Sequence, residues 1–159
     1  MNADALHDLT FDDPDYRDHF VLTARDDVYG VEEFVERLAM RQPGWLTRVS
    51  MGLSGAAELR RGVVDALDGG ALGNWHVIDR TDTSITFAED MRIMRYRLAF
   101  KIDSPNQVSA RTDVVQQTGW FGPIYWLLAT PLHKRFLQLL LRRAGGEGSV
   151  VSQKSLETL

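Results

Sequence analysis

A phenol and an imidazole stand two helical turns apart near the end of this chain, at Tyr125 and His133. On one helix face they would suit acid/base work, since imidazole exchanges a proton near neutral pH and a phenol can donate one. A third candidate, Glu89, shares its strand parity with Ile85 and Phe87. If desolvated there, it would hold its proton to higher pH and could act as general acid or base. The catalytic candidates are therefore His133, Tyr125 and Glu89. Each has a plainer role as well. His133 follows Pro131, whose missing N–H frees the carbonyl of Leu127 to accept from the imidazole. A lone histidine more often satisfies a hydrogen bond than performs chemistry. Glu89 lies near a strand end, where carboxylates are usually solvated.

Around these groups, alternation supplies an apolar lining with polar punctuation. Phe87, Tyr96, Leu98 and Phe100 fall on one face, as do Thr112, Val114 and Gln116. Trp120 and Leu128 would close it from the segment that follows. A few hydrogen-bonding groups in an apolar wall are what a selective small-molecule site needs. Thr112 and Gln116 suit ligand binding better than catalysis. The rings at Trp120, Phe121, Tyr125 and Trp126 either line an entrance or are plain core.

Positioning falls to a long helix and a run of hairpins. Trp120 to Arg143 carries apolar residues at Ile124, Leu128, Leu132, Phe136 and Leu140, a helical stripe. A helix of that length would reach about 36 Å. Pro131 either kinks it or divides it. Upstream, Asn74–Arg80, Ser84–Asp90, Met91–Asp103 and Gln107–Thr118 alternate with period two and read as antiparallel strands. An earlier strand spans residues 15–24, with Tyr16, Phe20 and Leu22 on one parity. Two short helices follow it, one capped by Asp26 or Asp27 and stopped at Gln42-Pro43-Gly44, the other from Trp45 to about Arg61. The expected class is α+β: a curved antiparallel sheet of five to seven strands wrapped on the long C-terminal helix. Residues 15–143 form one domain, between a flexible N-terminus (1–14) and a flexible tail (144–159) opened by Gly145-Gly146-Glu147-Gly148-Ser149.

Composition narrows the functions further. A net charge of −4 argues against general nucleic-acid affinity. Six aspartates and one arginine occupy residues 1–18, while bases gather late in the long helix. Cysteine is absent, and His7, His19, His76 and His133 lack metal-ligand spacing, so no metal and no cofactor is expected. No Gly-rich phosphate loop or serine nucleophile elbow occurs. The acidic start is unlike a signal peptide, and the run Trp120–Leu132 is too short to span a bilayer. A cytoplasmic protein without stable membrane insertion is the expectation.

The element order is similar to the helix-grip fold of the START/Bet v 1-like (SRPBCC) superfamily. At finer grain, Pro43-Gly44-Trp45 and Gly122-Pro123-Ile124-Tyr125 followed by Pro131-Leu132-His133-Lys134 make the chain resemble the bacterial DUF2867 family, which has no assigned activity; the resemblance spans roughly residues 10–143. Pro123 departs from the polar or basic residue expected there, though it suits a first helical turn. The resemblance implies a cavity between sheet and long helix. Members of the wider superfamily bind lipids, hormones and polyketides, and some cyclise or hydrolyse them. No catalytic set transfers with it.

The leading expectation is a binder of a small hydrophobic molecule, lipid-, polyketide- or terpenoid-like. The alternative is an enzyme of the same fold, a cyclase, dehydratase or hydrolase. A third reading uses Leu137 to Leu141 to meet a protein or membrane, and leaves monomer or homodimer open.

Overall fold

The hairpins supply the frame. The computed structural model describes residues 11–40, 71–72, 75–90, 94–117, 119 and 121–153. At 39, 40, 71, 72, 75, 121–129 and 132 it describes the backbone alone. In chain order the elements are β1 (Tyr16–Thr23), α1 (Val31–Met40), β2 (Ala71–Leu72), β3 (Trp75–Arg80) and β4 (Ser84–Asp90). They continue with β5 (Met94–Ser104), β6 (Gln107–Gln116), α2 (Phe121–Ala144) and β7 (Ser149–Gln153). These strands form one sheet in the order β2-β3-β4-β5-β6-β1-β7, and every neighbouring pair is antiparallel. The protein is thus α+β, as the alternating and helical periods imply.

Register aligns the inner face. Ile85, Phe100, Ala110 and Phe20 stand opposite one another across β4, β5, β6 and β1. One residue pair along, Phe87, Leu98, Thr112 and Asp18 do the same, followed by Glu89, Tyr96, Val114 and Tyr16. Both helices pack on the Phe20 end of this face. From α1, Val31, Phe34 and Val35 are buried, and the ring of Phe34 meets that of Phe100 edge-on at 5.7 Å. From α2, Leu137, Leu141 and Ala144 join Phe20, Leu22, Val108 and Ala110 in one core. Among the described residues of α2, Leu137, Leu140, Leu141 and Ala144 are buried, so the predicted Leu140 is in place. The stripe that joins the core through Leu137 and Leu141 lies a residue away from the predicted Phe136, which is half-buried. Consecutive leucines at 139, 140 and 141 made that phase ambiguous in the sequence. His133 stands a turn earlier on the same stripe.

The helix runs unbroken past Pro131, which is exposed. Pro123 sits in its first turn, where N–H groups lack intrahelical partners in any case. Helix α1 begins later than expected: the Phe34 N–H donates to the Gly30 carbonyl, so Gly30 rather than Asp26 or Asp27 occupies the cap. Asp27 instead accepts from the hydroxyl of Tyr29. The predicted second short helix, Trp45 to Arg61, lies outside the described residues.

The expected C-terminal tail needs correction. Residues 149–153 form β7, an edge strand paired with β1 from Thr23–Ser149 to His19–Gln153. What resembles a linker is a tight turn: Gly146 takes φ 67° and Glu147 φ 65°, and the Arg25 N–H donates to the Gly145 carbonyl. A Cβ on Gly145 would fall 2.9 Å from the Leu22 side chain. Here glycine serves close approach and left-handed backbone, not flexibility. At the other end, Phe11 is buried, with the Arg97 guanidinium 4.6 Å above its ring. That part of the presumed frayed start is anchored.

The opposite sheet face is charged. Asp113 is 1% exposed and accepts from Arg17 at 2.7 Å, Arg97 at 2.7 Å and Arg111 at 3.2 Å. Burial alone would raise its pKa, yet these hydrogen bonds and the Arg97 and Arg111 charges leave it below the usual carboxylate range.

Candidate functional site

Beyond the apolar core, the inner face turns polar while staying buried. Asp18 on β1, Thr112 on β6 and Glu89 on β4 are 5%, 0% and 7% exposed. Asp18 and Thr112 are direct register partners, and Glu89 is the partner of Tyr96. Strand pleat aims all of them toward the helix layer. His133 comes down onto them from α2. Its ring sits between two phenols, edge-on to Tyr16 at 6.4 Å and to Tyr96 at 5.8 Å.

The polar atoms form a chain. The Tyr16 hydroxyl donates to Asp18 Oδ2 at 2.7 Å. His133 Nε2 lies 3.8 Å from that same oxygen and 3.5 Å from the Tyr96 hydroxyl. Asp18 Oδ1 and Thr112 Oγ1 are buried without a hydrogen-bond partner. The Thr112 hydroxyl does approach the Tyr96 phenol closely enough to oppose the rise that burial causes in its pKa, but not in hydrogen-bonding geometry. Two orphaned polar atoms on facing strands are unusual, because each forfeits its hydration without replacement.

Electrostatics set the protonation of the cluster. Burial lowers the pKa of His133; the Asp18 charge opposes that and Lys134 reinforces it. The imidazole is therefore neutral at physiological pH. Tyr96 retains some ring exposure, but its hydroxyl end is enclosed; burial pushes its pKa upward, with Asp18 and Glu89 adding to the rise. Tyr16 is raised too, by burial first and then by its bond to Asp18. Both phenols thus keep their protons; Tyr16 donates its own to Asp18, while the direction of the Tyr96–His133 bond follows the imidazole tautomer. Lys134 Nζ lies 5.7 Å from the Tyr16 ring centre.

Of the expected catalytic residues, the structure brings His133 and Glu89 to this end of the face. The Tyr125 side chain is outside the described residues, and Tyr96 is the phenol beside His133. Among the expected binding residues, Tyr96, Thr112 and Val114 belong to the cluster, with Leu98 beside it as the register partner of Thr112. Phe87 and Phe100 are taken up by the core. The Gln116 N–H donates to Asp15 Oδ2 at 2.7 Å at the strand end. Trp120 and the Leu128 side chain fall outside the described residues. Sequence reasoning missed Asp18 and Tyr16 as site residues. The signal was present: Asp18 shares the parity of Tyr16, Phe20 and Leu22, an acid in an otherwise inward-facing row.

Among the described residues, no group of three or more His, Asp or Glu could hold a metal ion. No helix among them is long and apolar enough to cross a membrane.

Fold and site together define an α+β domain whose antiparallel sheet carries a buried polar cluster beneath a long helix. The chain belongs to the DUF2867 family: residues 10–138 match the model of that family, described as a protein of unknown function. No curated protein and no solved structure matches the chain.

Proposed function

We propose that the protein is a helix-grip domain of the START/Bet v 1-like kind and binds a small hydrophobic molecule between the sheet and α2. The lipid-, polyketide- or terpenoid-like class is what the resemblance to that superfamily implies. One observation carries the reading: Asp18 Oδ1 and Thr112 Oγ1 are buried, face the helix layer and lack partners. Unfilled hydrogen-bonding capacity at the end of an apolar surface is what a bound molecule with one polar end would complete. Native mass spectrometry of the protein equilibrated with lipid and polyketide extracts tests it. A retained small mass, released on denaturation, is expected. An unaltered mass in every extract, with a crystal structure filled solid between α2 and β6, would overturn it.

A second reading, an enzyme in the same place, is favoured by the Tyr96–His133–Asp18 chain. The neutral imidazole would accept a proton and the Tyr96 phenol would donate one, as a cyclase, dehydratase or hydrolase requires. Asp18 would steady the imidazolium as it forms. His133→Gln should then abolish turnover while ligand is still retained; retention without any turnover by the wild type leaves the binder.

A further inference from the structure

The buried acceptors also say which kind of polar end the site would take. A carboxylate accepts on both oxygens and donates on neither. On Asp18, Oδ2 is served by the Tyr16 hydroxyl at 2.7 Å, whereas Oδ1 is buried and has no donor. Directly opposite on β6, Thr112 Oγ1 is buried beside the Tyr96 phenol but makes no hydrogen bond of proper geometry. The second carboxylate of this face, Glu89, approaches closely enough to act on the Tyr96 hydroxyl. On the helix side stands His133, held neutral by its burial. Lys134 Nζ lies 5.7 Å from the Tyr16 ring centre.

We infer that the site selects molecules whose polar end donates hydrogen bonds, an alcohol, phenol or amine, to Asp18 Oδ1 beside Thr112 Oγ1. This rests on the binding function proposed above and adds the head-group chemistry. A hydroxyl satisfies both atoms at once, giving its proton to Asp18 and accepting from Thr112. An amine donates to both. A carboxylate head places a further negative charge against Asp18 and Glu89 in a desolvated setting and leaves Oδ1 still without a donor. Free fatty acids are therefore discriminated against, and the matching alcohols and amines accepted.

Three probes of equal chain length isolate the head group: decanol, decylamine and decanoate, titrated calorimetrically into the intact protein at neutral pH. Decanol and decylamine should bind at least roughly tenfold more tightly than decanoate. Asp18→Asn, with fold checked by circular dichroism, should erase or invert that order, because its amide donates where the carboxylate accepts. Thr112→Val, which leaves the Tyr16–Asp18 bond in place, should weaken decanol severalfold and leave decanoate unchanged; it carries the test if Asp18→Asn fails to fold. Decanoate binding as tightly as decanol would overturn the head-group inference while the binding function stands. An unchanged decanol affinity in Thr112→Val would overturn it as well. If none of the three probes binds, the inference and the proposed function fall together.

Discussion

His133 Nε2 stands 3.8 Å from Asp18 Oδ2, an oxygen already held by the Tyr16 hydroxyl. The pair joins the long helix to the first strand across the polar end of the inner face, and the balance between burial and the opposing charges of Asp18 and Lys134 sets the charge of the imidazole.

That balance makes stability depend on pH in a stated direction. The folded pKa of His133 lies below its ordinary 6.5, so the folded state disfavours the proton. The unfolded chain therefore binds more protons in the window just below 6.5, and the His133 contribution rises with pH there. Above that value the penalty is gone; below the folded pKa it is fully present. Urea midpoints measured across the window should carry this slope in the wild type and lose it in His133→Gln. Asp18→Asn, lacking the opposing charge, should move the His133 ring titration seen by NMR further down.

On the outer face, Asp113 is predicted to be a costly charge to remove. Asp113→Asn would leave Arg17, Arg97 and Arg111 converging on a neutral group. The arginines are partly solvated, at 24%, 27% and 43% side-chain exposure, which softens the loss. A destabilisation of roughly 1.5–3 kcal/mol is expected, read as a lower urea midpoint with an unchanged slope. Because the folded pKa is depressed, this stability is present above the ordinary carboxylate pKa and is lost as pH falls through the folded one.

The glycine turn before β7 yields a third expectation. A Cβ on Gly148 would collide with the Thr23 carbonyl oxygen and fall 2.9 Å from Ala24 Cα, both backbone atoms that cannot swing aside. Gly148→Ala should cost about 1–3 kcal/mol, as overpacking does. Hydrogen exchange should accelerate at the β7 amides and at the β1 groups paired with them. Equal protection in wild type and variant would return residues 149–153 to the status of a tail.

These outcomes mark what was legible in the residues. Period-two alternation in β4, β5 and β6 put Glu89, Tyr96 and Thr112 on the buried face, because pleat alone decides sidedness. Asp18 escaped notice because a single acid in a short, weakly alternating strand looks like an interruption until its neighbours are known. β7 was illegible for a different reason. Its partner, β1, lies at the far end of the chain, so no local pattern announces the pairing. The phase of α2 was hidden by leucines on adjacent positions; only the strand rows beneath it select Leu137 and Leu141.

Pro131 separates stability from function. It sits inside α2 on an exposed position, so its ring touches no core, and its absent N–H leaves the Leu127 carbonyl without the usual helical donor. Pro131→Ala restores that donor and a better helix former, and should raise stability by about 1–3 kcal/mol. The same change falls two residues before His133 on the helix that carries it. If the missing backbone bond at Pro131 sets how His133 stands over the Asp18–Thr112 pair, the more stable variant should retain decanol less well, a loss of affinity alongside a gain in urea midpoint. Gains in both would show that proline merely weakens the helix, and the positioning of His133 would then be credited to Leu137 and Leu141 alone.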